Sequence, residues 1–309
     1  MRRKIVISAL LIFAAVGVYL AFRYYCPVRV SGAGYPKWVD LSKRRAAWDA
    51  MKIKVAREVS SFAGQPGIVI KDLSTGWEAS FNKDKAFPSA SLVKIPVVLA
   101  AYKASHDGKF SMGDTIILRN RDRVDASKET AKLPNGSAVS IRELADWMIT
   151  VSDNTASNML IEFLGFNYLN KAFKSFGLKN TNIVRKMLDF RLRRKGVENY
   201  TTPADMAHIL ESIYRGRAVS RAASSECMDM LKHQKVNDRI PVLLPKGVVS
   251  AHKTGLERGV CHDAGIIFTK NGNILVCVLT KHRAKTSKHA KRFISKIARE
   301  VYDYSESEQ

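Results

Sequence analysis

Acidic residues are the scarce component of this 309-residue chain, with 28 Asp and Glu against 51 Lys and Arg, a formal charge of +23. An excess of that size predicts attraction to polyanions, whether nucleic acid, anionic lipid or an acidic cell-envelope polymer, and says nothing about fold. Cysteine is scarce too. Cys26, Cys227, Cys261 and Cys277 are scattered and form no C-x-x-C, which excludes a disulfide framework or a cysteine zinc site and leaves buried thiols as the expectation. Glycine and proline, 18 and 9, are too few for a collagen-like or low-complexity chain, and no internal repeat is visible. With 46% hydrophobic and 26% charged residues, the chain is not disordered either. Its length allows one large domain or two small ones, each able to bury a core. No metal-ligand cluster occurs, and neither metal nor cofactor is expected.

There is one long hydrophobic run. Arg2, Arg3 and Lys4 precede an unbroken apolar stretch over residues 5–22, closed by Arg23; at 1.5 Å per residue it spans roughly 27 Å, close to a bilayer core. No small-residue cleavage site follows, which favours an uncleaved anchor over a signal peptide. The basic cluster before the run predicts a cytoplasmic N-terminus and an extracytoplasmic domain. The bulky residues ahead of Cys26 argue against lipid attachment there. The expected organisation is therefore an anchor over residues 1–25, a linker over 26–40 and one domain over 41–309, with a helical lobe over about 86–217.

Within that domain, Trp48, Met51, Val55, Val59 and Phe62 recur at spacings of three and four, which predicts a helix over 43–63. Two β-rich runs, 68–73 and 77–81, flank Ser74-Thr75-Gly76 and predict a hairpin. Helical patterns follow, among them Ser140-Ile141-Arg142-Glu143, a capping box. Residues 248–253, 261–268 and 274–279 are again β-rich, the last two joined at Lys270-Asn271-Gly272. A closing helix over 286–302 is basic and amphipathic. Packing on a sheet accounts for it better than a membrane-surface role. Strands at both ends with helices between them predict an α/β (α+β) fold, an antiparallel sheet flanked by terminal helices with an inserted all-helical lobe and a cleft between.

Three S-x-x-K motifs occur, where residue frequencies give about one per 300 residues, so the motif alone carries little. Those at Ser80 and Ser250 lie on predicted strands. Only Ser91-Leu92-Val93-Lys94 directly precedes an apolar helical run, which would put the Ser91 hydroxyl at a helix start with Lys94 one turn along on the same face. A serine needs a base to become nucleophilic, and helix-start N–H groups can hold a developing oxyanion. Ser152-Asp153-Asn154 and Lys253-Thr254-Gly255 follow in order.

With these three motifs, the sequence resembles the penicillin-recognising serine hydrolases, in particular the class A β-lactamase family. SASLVKIPVVLAAY, IRELADWMITVSDNTASNMLIEFLG, NYTTPADMAHIL and AHKTGLERGVCHDAGIIF, all within residues 65–282, look like that family's blocks. The resemblance implies a β-lactamase/transpeptidase-like fold, Ser91 as acylated nucleophile and Lys94 as its proton acceptor. It implies further that Ser152 relays a proton to the leaving nitrogen, Asn154 positions substrate, and Lys253 and Thr254 bind the substrate carboxylate. Gly255 completes that motif, and the N–H groups of Ser91 and Leu256 would form the oxyanion hole. β-Lactam hydrolysis is the implied activity, on a β-lactam or peptidoglycan peptide, by a monomer.

One family feature is absent. The E-x-x-L-N pattern that supplies a deacylating glutamate is missing; an ungapped count back from Thr201-Thr202-Pro203 puts Lys186 at the glutamate and Phe190 at the asparagine. Asp189 and Glu198 are the carboxylates available there; either is a candidate to activate water, but a structural role is the expectation for both, with Glu198, beside the T-T-P helix start, as a cap or loop clamp. The same stretch carries Arg185, Lys186, Arg191, Arg193, Arg194 and Lys195, either a solvated face or an attractor of anionic substrate or polymer. His252, His262 and Asp263 suggest a triad by composition, but packing and hydrogen bonding account better for them. The alternatives to a β-lactamase are a D-Ala-D-Ala carboxypeptidase-like or esterase-like hydrolase using Ser91 and Lys94, and a sensor that stays acylated. A nucleic-acid binder, suggested by charge alone, has no recognition motif to support it.

Overall fold

The computed structural model of the protein describes residues 41–307; the expected anchor and linker lie outside the described residues. Among the described residues no helix is long and apolar enough to cross a membrane. The first element is helix α1 (Leu41–Ser61), which buries Trp48, Met51 and Val55 at the helical spacing the sequence carries. A hairpin of β1 (Gln65–Asp72) and β2 (Glu78–Phe81) follows, turning at Gly76 with φ +79°. The chain then passes through β3 (Phe87–Pro88) and a 3-10 turn (Ala90–Val93) into α2 (Lys94–His106). Next come a hairpin of β4 (Thr115–Ile117) and β5 (Ala138–Ser140), then α3 (Ile141–Thr150), α4 (Asn154–Leu164), α5 (Phe166–Ser175) and α6 (Phe190–Arg194). Strand β6 (Tyr200–Thr201) and helices α7 (Pro203–Tyr214) and α8 (Arg221–Lys232) precede β7 (Ser250–Glu257), β8 (Val260–Ile267) and β9 (Ile274–Lys281), and α9 (Lys288–Glu306) is the last element.

The five long strands form one antiparallel sheet in the order β2-β1-β9-β8-β7. Alternation along its strands builds two cores. Ile68 and Ile70, with Ile274, Val276 and Val278, pack beneath α1 and α9. Val69, Leu275, Cys277 and Leu279 face the other way, into the core built around α2. The antiparallel sheet with terminal helices is the expected architecture. Two details differ. The inserted lobe contains the β4–β5 hairpin, so it is not all-helical, and it runs on through α8 to Lys232. The buried face of α8 is made of Ala223, Ser224, Cys227, Met228, Met230 and Leu231, a mix of small and sulfur-bearing residues that announces a core stripe weakly in sequence.

Two local devices set the frame. The capping box forms as expected, with Ser140 Oγ accepting from Glu143 N at 3.2 Å and Ser140 N donating to Glu143 Oε2 at 3.0 Å. Arg44 on α1 donates from Nε and Nη2 to Asp72 Oδ2 at 3.0 and 2.7 Å, and Tyr304 Oη on α9 donates to the same oxygen at 2.6 Å. This buried triple contact staples both terminal helices to the end of β1. Burial works against the charge on Asp72, but the bonds from Tyr304 and Arg44 outweigh it and hold its carboxyl below the ordinary value.

Candidate active site

Ser91 lies in the 3-10 turn that runs without a break into α2, so its hydroxyl stands at a helix entrance as the sequence predicts. The residue before it, Ala90, has φ +45°, and Ser152 has φ +59°. Both are unfavourable for residues with a Cβ, at about 1–3 kcal/mol each, and both flank the same cleft. The turn is braced from outside. Ser89 N donates to Asn199 O at 2.7 Å, and His262 Nε2 donates to Pro88 O at 2.8 Å. Since Thr280 N donates to His262 Nδ1 at 3.1 Å, the ring is neutral with its proton on Nε2; burial lowers its pKa to about 4. Strand β7 passes so close that a Cβ on Gly255 would stand 3.4 Å from that of Ala90. That brings Lys253, Thr254, Gly255 and Leu256 alongside Ser91, with Leu256 half exposed at the lip.

Ser152 is where two lysines meet. Lys94 Nζ donates to Ser152 O at 2.9 Å, Ser152 Oγ at 3.2 Å and Asn154 Oδ1 at 2.8 Å. Lys253 Nζ donates to the same Ser152 Oγ at 3.0 Å and to Thr254 O at 3.1 Å. Both lysines are fully buried. Two ammonium groups that share one hydroxyl in a dry site repel strongly. Burial first, and the charge of Lys253 second, push the Lys94 pKa well below the ordinary lysine value. Burial and the Arg239 guanidinium bring Lys253 down to about 7. Thus near neutral pH the pair can hold one neutral amine, which is what a base for Ser91 requires.

Asp153 explains the middle letter of its motif structurally. Its Oδ1 accepts from Ala156 N at 2.9 Å and caps α4, while Oδ2 accepts from the N–H groups of Lys128, Glu129 and Thr130. It fixes the loop that forms one wall of the cleft. Asn154 Nδ2 donates to Ala126 O at 3.4 Å, so this side chain bridges Lys94 and that loop. His252 is hydrogen-bonded through Nδ1 to Asp263 and through Nε2 to Asn237. It neighbours Lys253 along a strand and so points to the opposite face, which makes it a packing residue and no part of a triad.

This arrangement has counterparts among known proteins. The model of the β-lactamase enzyme family matches residues 50–305. The chain belongs to that family. A β-lactamase of Rhodobacter capsulatus is 29% identical over 230 residues, 73% of this chain and 72% of that protein. The solved structure of a β-lactamase from Sphaerobacter thermophilus is 31% identical with a TM-score of 0.75, covering 84% of this chain and 97% of that one. The structure of PBP-A is 29% identical with a TM-score of 0.75, covering 82% and 95%; a point variant of PBP-A has been solved as an acyl-enzyme complex with penicillin G.

In this β-lactamase-family chain the segment without the E-x-x-L-N pattern is residues 185–199. Neither carboxylate there is free. Asp189 Oδ1 caps α6 by accepting from Leu192 N at 2.9 Å. Glu198 accepts from Arg185 Nε at 2.9 Å and pairs with Arg193 at 3.3 Å, while Glu257 of β7 pairs with the same two arginines at 3.1 and 3.3 Å. Lys186, at the glutamate position of the ungapped count, is turned outward to pair with Glu162, and Phe190 is exposed. The loop is instead tied to α4 at the backbone of Met187. Asn158 Oδ1 accepts from Met187 N at 2.7 Å and its Nδ2 donates to Met187 O at 3.1 Å. Asn158 is four residues after Asn154 on α4, hence on the same face, so the backbone of the buried Met187 is held about one helical turn from the Lys94–Asn154 contact. Asn158, Arg193 and Glu257 were not among the expected site residues; the N-x-x-x-N spacing on a helix was the available signal for the first.

Proposed function

We propose that this protein is a membrane-anchored, extracytoplasmic serine hydrolase that takes the acyl group of a β-lactam or a D-alanyl peptide onto Ser91 and releases it slowly. The observation that carries the reading is the buried lysine pair on Ser152. Neutral Lys94 accepts the Ser91 proton as Oγ attacks the carbonyl carbon, and the oxyanion is held by the N–H groups of Ser91 and Leu256. As the C–N bond breaks, Ser152 Oγ passes its proton to the departing nitrogen and is resupplied from the lysines that bond to it. Lys253 and Thr254 bind the substrate carboxylate, and Asn154 keeps Lys94 aimed.

The ester on Ser91 then waits for an activated water. Loss of a general base costs about 10² to 10⁴ in rate, and the loop offers Met187, with Asp189 and Glu198 engaged elsewhere. Slow release therefore accompanies competent acylation, which also suits the D-Ala-D-Ala carboxypeptidase-like alternative. The apolar run over residues 5–22 supports the anchor.

The test is intact mass of the full-length chain mixed with a penicillin, followed over time beside Ser91→Ala. One equivalent of adduct on the native chain only, decaying over many minutes, is the expected result. Decay within seconds would replace this reading with efficient hydrolysis, and no adduct would overturn it.

A further inference from the structure

Strand β7 lies at an edge of the sheet, with β8 as its one partner there, so it presents unpaired N–H and C=O groups on its open side. Glu257 and Val260 stand opposite each other across the two-residue turn Arg258-Gly259, with Gly259 at φ +79°. The pair that closes such a turn is hydrogen-bonded, so the next residue along the strand, Leu256, directs its N–H away from β8 and toward the open edge. That edge meets the nucleophile turn, where a Cβ on Gly255 would stand 3.4 Å from that of Ala90. From within the sheet the β7–β8 turn is held by His282 N, which donates to Gly259 O at 2.8 Å. Further ties come from the 185–199 loop. Arg185 Nη2 donates to both carboxylate oxygens of Glu257 at 3.1 and 3.2 Å, Arg193 Nη1 lies 3.3 Å from Glu257 Oε2, and Arg193 Nη2 donates to Arg258 O at 3.1 Å. Glu198 holds the same two arginines through their Nε atoms, at 2.9 and 3.3 Å. The Glu257 side chain is 6% exposed, so water competes little for these bonds.

We propose that Glu257 is a positioning residue for acylation: gripped by Arg185 and Arg193, it fixes the end of β7 so that the Leu256 N–H stands where the oxyanion forms. When Ser91 Oγ bonds to the carbonyl carbon, the π electron pair of the C=O bond moves onto oxygen, and its stabilisation depends on donors already in place. A misplacement of about 1 Å costs up to about a hundredfold in rate. Leu256 is one residue, about 3.3 Å of strand, from the residue the arginines grip, which leaves little slack between clamp and donor. Charge is not what the cluster supplies. Its two guanidinium groups and two carboxylates sum to zero, so their net field at Ser91 is small and their contribution is one of position. The loop, whose two carboxylates are engaged in capping and pairing, thus serves the attack on substrate. Glu257 can act in this way only where Ser91 is acylated as proposed above.

The experiment follows adduct formation by rapid-quench intact mass on the full-length chain in detergent, with a penicillin isotope-labelled at its lactam carbonyl, and records the infrared stretch of the resulting ester. Glu257→Gln is expected to slow acylation at saturating penicillin about ten- to a hundredfold, while the half-saturating concentration changes less than about threefold. The ester stretch should move to higher wavenumber, because weaker donation leaves more double-bond character in the carbonyl. Arg193→Gln, which removes one side of the grip, is expected to shift both readouts the same way by less. The double variant should lose about as much as Glu257→Gln alone, since the two residues share one network. Ser140→Ala, which loosens the fold at the cap of α3, should keep the native rate and the native band. An unchanged rate and band in Glu257→Gln would overturn the proposal, as would equal losses in Ser140→Ala. If Glu257→Gln does not fold, Arg193→Gln decides by the same two readouts. A native chain that forms no adduct would overturn the acylation reading itself, a result distinct from an adduct whose rate is indifferent to Glu257.

Discussion

At Lys94 the proposed chemistry turns on one proton, and the same is true of Lys253 with the opposite sign. Lys94 has to be neutral to take the Ser91 proton, so acylation is expected to fall as pH drops below its lowered pKa. Lys253 has to be charged to hold a carboxylate, so acylation by a penicillin is expected to fall again as pH rises through about 7. A bell-shaped rate of adduct formation would follow. In Lys94→Arg, whose guanidinium stays protonated, adduct formation should drop by about 10² to 10⁴. Met187 offers the reciprocal experiment. Met187→Glu places a carboxylate where Asn158 holds the loop backbone against α4, and loss of the penicillin adduct is expected to quicken at least tenfold. Ser91, Lys94, Ser152 and Lys253 could be singled out in sequence because each sits in a short motif on a fitting element; their roles stay part of the proposal. Met187 could not be, since counting without gaps pointed to Lys186, while burial and the backbone bonds to Asn158 single out Met187.

Among the elements, the loop over residues 185–199 is held by charge. Arg185 is buried between Glu198 and Glu257, and desolvation of all three is tolerated because each is paired. Arg185→Ala would leave two buried carboxylates with Arg193 alone, at a cost of about 3–5 kcal/mol. The expected result is a lowering of the melting temperature by about 10 °C, with hydrogen exchange rising first over this loop. Ser140→Ala tests a simpler device. Losing the cap of α3 is expected to cost about 1 kcal/mol with acylation unchanged, read from denaturant unfolding. The capping box could be read directly from four letters, whereas the partner of Arg185 on β7 lies 72 residues away and had no local signature.

For the whole molecule, the Arg44–Asp72–Tyr304 contact ties both ends of the domain to one strand. Because the Asp72 pKa is held below its ordinary value, its contribution to stability is present above the unfolded carboxylate value and is lost as pH falls through the folded one. Melting temperature should therefore fall more steeply below about pH 4 in the native chain than in Asp72→Asn, whose stability is already reduced at neutral pH. Equal slopes would show that the acid sensitivity arises elsewhere.

The sequence by itself determined the sheet with its terminal helices, through period-2 and period-3.6 patterns, and the placement of Ser91 at a helix entrance, through a motif whose residues lie within a turn of one another. It also determined the excess of positive charge. Tertiary structure decided everything that depends on residues far apart in the chain. It brought Lys94 and Lys253 onto one hydroxyl, which sets their proton affinities. It turned Arg185 and Arg193 of the basic run toward two glutamates and left Arg191 and Arg194 exposed. Burial and distance separate a structural cation from a free one, and a linear pattern of residue types contains neither quantity.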